Sequence, residues 1–194
     1  MDNDFTPVTE EMIHQTTLTW LNERGVTLDS IAELVYVLQH SFFPDITLTE
    51  CLEHVQHVLT KREVQNAVMT GIQLDILAEK NLIQEPLMDI IRRDEGLYGV
   101  DETLATAILN VYGSIGLTNF GYIDRVKPLI LSRLNNHQGS EIHTFLDDIV
   151  GAIAAAGAAR LSHNRKQQHE TEPPLPNPSP YPNENILYFS QKPF

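Results

Sequence analysis

Thr144-Phe145-Leu146-Asp147-Asp148-Ile149-Val150-Gly151-Ala152-Ile153-Ala154-Ala155-Ala156-Gly157-Ala158-Ala159-Arg160-Leu161-Ser162 decides the fold. Ile149 to Ala159 is an unbroken run of eleven small and apolar residues. It falls short of the ~18 apolar residues that a membrane span requires. A helix without a polar face belongs inside a protein, so the stretch predicts a buried helix over about 143–162, capped by Thr144. Asp147 and Asp148 fall about one turn into it. Gly151, Ala154, Ala155 and Ala158 continue the same faces, a surface small enough for a second helix to approach closely. The two aspartates then point into a crevice between helices. Their other reading is structural, because aspartate in a first turn meets the positive end of the helix dipole.

The rest of the chain supplies helices to surround this one. Thr9 can cap a helix carrying Met12, Leu18 and Trp20 that stops at Gly25. Thr27 can cap a second, with Ile31, Leu34, Val35 and Leu38 as its apolar stripe. Thr47-Leu48-Thr49-Glu50 and Thr60-Lys61-Arg62-Glu63 have capping-box spacing and predict helices near 48–59 and 61–80, the second burying Val64, Val68 and Ile72. Pro86 suits the first turn of a short helix with Leu87, Ile90 and Ile91. Asp101 can cap a helix whose core stripe is Leu104, Ala107, Ile108 and Val111. Gly113, Gly116 and Gly121 interrupt the pattern before a segment with Ile123, Val126 and Leu129. No strand pattern of useful length is present. The expectation is an all-α single multi-helix bundle around a central apolar helix, occupying residues 1–162. Residues 163–194 form a second region, a Pro-rich tail with seven of the eleven prolines, whose composition predicts a disordered, flexible appendage.

Composition narrows the function. The formal net charge of −13 argues against nucleic acid, whose phosphates require clustered Lys and Arg. Cys51 is the single cysteine, which excludes an intramolecular disulfide and a thiolate metal cluster. It lies in a predicted helix without a phosphate-cradling loop, which argues against a cysteine phosphatase. The acidic N-terminus, Met1-Asp2-Asn3-Asp4, lacks the basic-then-apolar build of a signal peptide. The expectation is a soluble, cytoplasmic chain with no transmembrane segment and at most peripheral membrane contact.

Three acidic clusters carry the chemistry: Asp101-Glu102, Asp124, and Asp147-Asp148. Carboxylates converging from separate elements repel one another unless a cation or shared protons compensate. A hard divalent metal is the simplest compensation. Asp124 precedes Lys127 by three residues, so both can share one face of a turn, either as a surface ion pair or as a metal ligand beside a phosphate-binding ammonium. Weaker candidates are His54 and His57, three apart on one helix but more readily surface or half-buried residues. His143, just before Asp147, can support a metal ligand. Asp75 and Glu79 have i, i+4 spacing, for which a solvated helix face is the first expectation. Gly113-Ser114-Ile115-Gly116 is a loop able to wrap a phosphate.

At these residues the sequence resembles the phosphatidylglycerophosphatase A family. The resemblance rests on an Asp-Glu pair opening a helix (Asp101-Glu102), on Asp-x-x-Lys-Pro after an aromatic and an aliphatic residue (Tyr122-Ile123-Asp124-Arg125-Val126-Lys127-Pro128), and on Asp147-Asp148-Ile149-Val150 followed by small residues. Gly71-Ile72-Gln73-Leu74-Asp75, the stretch Asp94 to Glu102, and Asn110-Val111-Tyr112-Gly113-Ser114-Ile115-Gly116 resemble a soluble, all-helical branch of that family. Membrane members carry a Gly/Pro-rich motif near the N-terminus and several spanning segments, neither of which is visible here.

The resemblance implies Mg²⁺-dependent removal of the terminal phosphate of phosphatidylglycerophosphate, giving phosphatidylglycerol. On this expectation Asp101, Asp124, Asp147 and Asp148 hold the metal, directly or through water. Glu102 is a further ligand or the general base, and Lys127 clamps a phosphate oxygen. The partner is a phosphorylated lipid headgroup or a small phosphate ester, and a homo-oligomer is compatible. Two alternatives stand beside it: a soluble metal-dependent phosphohydrolase acting on a small ester, and a non-enzymatic helical interaction module.

Overall fold

The computed structural model describes residues 7–136 and 140–171, with side chains to residue 167. Nine helices and no strand are present among the described residues: α1 (Glu10–Glu23), α2 (Leu28–Gln39), α3 (Leu48–Val58), α4 (Arg62–Glu79), α5 (Leu87–Arg92), α6 (Val100–Leu109), α7 (Gly113–Val126), α8 (Ile130–Leu134) and α9 (Leu146–Thr171). The central apolar helix is α9. Its residues from Leu146 to Ala159 are all buried, and α2, α3, α4, α6, α7 and α8 pack around it. The two glycines of the run set close approaches. A Cβ on Gly151 would lie 3.5 Å from the Phe120 ring of α7, and one on Gly157 would lie 3.1 Å from Val35 of α2. Alanine and glycine keep α9 thin, so α2, α6 and α7 bury their apolar stripes directly against its backbone.

Most predicted boundaries hold. Thr9, Thr27 and Thr47 accept hydrogen bonds from the amides of Met12, Ser30 and Glu50, capping α1, α2 and α3. The second capping box does not form. Thr60 donates its hydroxyl to the His57 carbonyl instead, and Lys61 occupies the cap position of α4 without a side-chain cap. Val64, Val68 and Ile72 are buried as expected. Pro86 sits one residue earlier than predicted, at the cap of α5.

Four expectations need correction. Gly99, with a φ of 63°, takes the cap position of α6, and Asp101 lies within its first turn. The buried side of α6 is Ala105, Ile108 and Leu109, while Ala107 and Val111 are exposed. Leu104, Ala105, Ala107, Ile108 and Leu109 nearly surround the helix, so periodicity alone does not select the buried face, and Val111 lies beyond its end. Gly113, Gly116 and Gly121 do not interrupt a helix; α7 starts at Gly113 and runs through the other two, with Ile123 buried and Val126 and Leu129 exposed. Finally, α9 begins at Leu146 and continues to Thr171, past the predicted end at 162 and into the first residues assigned to the tail. Glu50 and Asp45 extend that helix's anchorage. They bind the Arg165 guanidinium at 2.6 and 2.7 Å. The rest of the predicted tail, 172–194, lies outside the described residues.

Candidate active site and metal centre

The start of α9 is held from α4. The carboxylate of Asp75 is fully buried and accepts the amides of Phe145 and Leu146, each at 3.1 Å. These are orphan donors of the helix's first turn, so Asp75 performs the capping expected of Thr144. The Thr144 hydroxyl instead donates to the Ile91 carbonyl at 2.6 Å. Burial pushes the Asp75 pKa well up against the two amide bonds that favour its charged form. Asp75 and Glu79 therefore do not form a solvated face. Glu79 pairs with Arg24 at 2.7 Å and accepts the Ile142 amide at 2.7 Å, which fixes the segment leading into α9.

With its first turn pinned, α9 presents Asp147 and Asp148, both about 5% exposed. Lys127 meets them from the end of α7. Its backbone turns left-handed, with a φ of 45°, where the helix closes. That turn directs Nζ to Asp124 at 2.6 Å, Asp147 at 2.7 Å and Asp148 at 3.2 Å. One ammonium thus ties three of the predicted carboxylates together. Burial would lower its pKa, yet the three carboxylates around it raise it further.

The remaining pair enters from the first turn of α6. Oxygens of Asp101, Glu102 and Asp148 all lie within 4.8 Å of one another. The Glu102 carboxyl is raised by burial and by the charge of Asp101, whose Oδ1 accepts the Glu102 amide at 3.0 Å. This pair stands beside the other three carboxylates, which share Lys127. Asp148 belongs to both groups. Burial and the neighbouring charge of Asp147 push it up to about 8. The five acidic residues singled out by sequence, with Lys127, form one connected cluster at the meeting of α6, α7 and α9. Its donor set is oxygen only, which suits a hard divalent cation rather than a thiolate or imidazole metal.

The weaker candidates fall elsewhere. His54 Nδ1 lies 2.7 Å from Arg160 Nη1, and burial lowers its pKa to about 4. His143 is buried against Arg24, with Nδ1 3.1 Å from Nη2, and belongs to the Arg24–Glu79 network rather than to the carboxylate cluster. Gly113-Ser114-Ile115-Gly116 is the first turn of α7, about 12–17 Å along that helix from Asp124. Sequence reasoning gave no role to Asp94 or Tyr98. Asp94, in a left-handed turn with a φ of 50°, raises Asp147, and Tyr98 packs edge-on against Phe145 beside Asp101.

A family model described as phosphatidylglycerophosphatase A matches residues 17–163, about three quarters of the chain. The chain belongs to the phosphatidylglycerophosphatase A family. All six cluster residues fall inside the matched range. The chain is 58% identical to the Bacillus subtilis (strain 168) protein YutG over 75% of this chain and 88% of that one. Among solved structures, it is similar to the low temperature requirement C protein from Listeria monocytogenes, with a TM-score of 0.80 at 59% identity over 81% of this chain and 99% of that one. It is also similar to a protein of unknown function from Bacillus stearothermophilus, with a TM-score of 0.77 at 63% identity over 78% and 94% of the two chains. No helix among the described residues of this phosphatidylglycerophosphatase A family member is long and apolar enough to cross a membrane.

Proposed function

We propose that the chain is a Mg²⁺-dependent phosphatase that hydrolyses the terminal phosphate monoester of phosphatidylglycerophosphate to phosphatidylglycerol. The carrying observation is the junction at Asp148, whose carboxylate joins the oxygen group of Asp101 and Glu102 to the Lys127 ammonium. A phosphoryl group carries charge on three oxygens and needs compensating cations, and a nearby base must take a proton from the attacking water.

Asp101, Asp148, Asp124 and Asp147 would hold the ion, directly or through water. Bound Mg²⁺ supplies charge neutralisation at phosphoryl oxygens and a lowered pKa for a coordinated water. Glu102 is the general base. Its raised pKa and exposed position suit it to accept a proton from the attacking water. Lys127 clamps a phosphate oxygen. Its ammonium remains charged across the physiological range because its surrounding carboxylates stabilise that form. Asp147 holds Lys127 from the buried side and so positions the clamp.

Inorganic phosphate release from vesicle-borne phosphatidylglycerophosphate and from glycerol 3-phosphate, each with and without Mg²⁺, tests the reading. Release from the lipid that requires Mg²⁺ supports it. Release confined to the soluble ester overturns the lipid substrate in favour of a small-ester phosphohydrolase. No release from either, by a folded chain, overturns the phosphatase and leaves the helical interaction module.

A further inference from the structure

Both α2 and α7 pack on α9, and beside the second half of α9 a hollow of about 230 Å³ lies among the three elements. The turn after α2 gives it two aromatic walls. The Phe42 and Phe43 amides both donate to the Gln39 carbonyl at 2.9 Å, and the turn so formed leaves Phe42 73% exposed. Phe43 is braced by the Arg165 guanidinium, 5.4 Å from its ring centre, and Arg165 is itself held by Asp45 and Glu50. Ile115 and Asn119, one turn apart on α7, form another wall. Asn119 Nδ2 is buried without a hydrogen-bond partner, an unmet donor that calls for an acceptor. Ser162 and Lys166, one turn apart on α9, complete the hollow. The Ser162 hydroxyl already donates to Gln39 Oε1 at 2.8 Å, whereas the exposed Lys166 brings a positive charge to the rim.

Size and chemistry suit this hollow to large apolar side chains, since an apolar cavity of about 150 Å³ already admits benzene. The helix that lines it also leads to such a group. Beyond Lys166, α9 runs only about 7–8 Å before it ends at Thr171. The sequence then continues to Phe194, outside the range of 17–163 matched to the family. There, Ile186-Leu187-Tyr188-Phe189 is a run of four large apolar residues among Pro, Asn, Ser and Gln. Surroundings of that composition give the run no core of its own. Glu172 to Asn185, extended at about 3.1 Å per residue, spans roughly 40 Å, several times the length of α9 between Lys166 and Thr171. Glu184, two residues before the run, matches Lys166 in charge. A tether of this length also holds the run near the hollow at an effective concentration of about a millimolar, without a second molecule. We propose that Ile186-Leu187-Tyr188-Phe189 folds back and docks in this hollow, bridging α2, α7 and α9 of the same chain.

A nitroxide attached to the full chain through Ser190→Cys reads the docking by broadening backbone amide signals in NMR. Cys51 does not compete for the label, because it is buried and its thiol is pushed up to about 11. The amides of Ile115, Asn119 and Lys166 should broaden strongly. That of Asp148, about 20 Å back along α9 from Ser162, should broaden far less. Leu187→Ser/Phe189→Ser in the run, and separately Phe42→Ser at the exposed wall, should each lower the docked-to-free ratio about tenfold or more. Circular dichroism and Tm verify the fold of each variant. No selective broadening at the hollow overturns the proposal, as does broadening that either substitution leaves untouched. Isotope-labelled chain without nitroxide, mixed with nitroxide-bearing chain at natural isotope abundance, identifies the source of the occupant. Sharp signals at the hollow in that mixture support docking within one chain. Broadened signals there overturn it, because the occupant then comes from a second copy.

Discussion

Lys127 Nζ reaches Asp147 Oδ2 at 2.7 Å across twenty residues of chain, from a left-handed backbone position. Both partners are largely removed from solvent, so the contact compensates a buried charge rather than decorating a surface. Lys127→Met should lower phosphate release by about a hundredfold or more and destabilise the fold by about 2 kcal/mol, because Asp124, Asp147 and Asp148 lose their shared cation. Lys127→Arg should restore stability more than activity, since a planar fork cannot reach three carboxylates as a point charge does. Chemical denaturation and phosphate-release assays on the two variants test this.

Asp148→Asn separates function from stability. Asp148 is pushed up to about 8 by burial and by Asp147, so its charge is disfavoured without a divalent ion. The variant should show an unchanged or higher Tm in chelator. Mg²⁺ should raise the wild-type Tm, and the variant should lose that increase and lose phosphate release by about a hundredfold or more. Thermal scans with EDTA and with Mg²⁺ test this, and a variant that keeps the wild-type Mg²⁺ response would remove Asp148 from the metal site.

Gly71 of α4 sets how closely the site's helix approaches. A Cβ there would lie 2.2 Å from Ile149 Cδ1 and 3.0 Å from Phe145 Cβ. The isoleucine tip can turn away, but Phe145 Cβ is fixed to the backbone of the capped turn. Gly71→Ala should cost about 1–3 kcal/mol by overpacking. It should also lower activity at unchanged net charge by displacing the turn that carries Asp147. Urea denaturation and kcat on the soluble ester are the measurements.

His54 predicts a pH dependence unrelated to the cluster. Burial, then the Arg160 charge, lower its pKa from 6.5 to about 4. The folded chain therefore binds fewer protons than the unfolded chain between those values. Stability is fully present above about pH 6.5 and declines as pH falls toward 4, by about 2–3 kcal/mol from this group. His54→Gln keeps an acceptor for Arg160 without the titration and should flatten that slope. His143, also lowered, leaves a residual slope. Denaturation midpoints of both chains at pH 7, 5.5 and 4.5 check the prediction.

The central helix and the six-residue cluster were legible because their signals are local. An apolar run of eleven residues has no exposed face to offer, and three short acidic motifs flank buried stripes. What remained hidden depends on partners distant in sequence. Thr144 has the right residue type and position for a cap, but Asp75, seventy residues earlier, takes the amides. The Asp75–Glu79 spacing describes a helix face without saying what that face meets. The α6 stripe was misplaced by about one residue because Leu104, Ala105, Ala107, Ile108 and Leu109 leave almost no polar face to choose against, and the side that meets α9 is set by that distant helix.

The fully buried stretch of α9 from Leu146 to Ala159 has a dynamic consequence. Asp147 and Asp148 sit on the innermost element, with their turn tied to α4 through Asp75. Fraying cannot open this turn independently, so amide hydrogen exchange at Asp147 and Asp148 should be as slow as global unfolding allows. The acidic centre is then a reporter of the whole domain's integrity: the chain loses the geometry of its carboxylate cluster and its native state in one cooperative step.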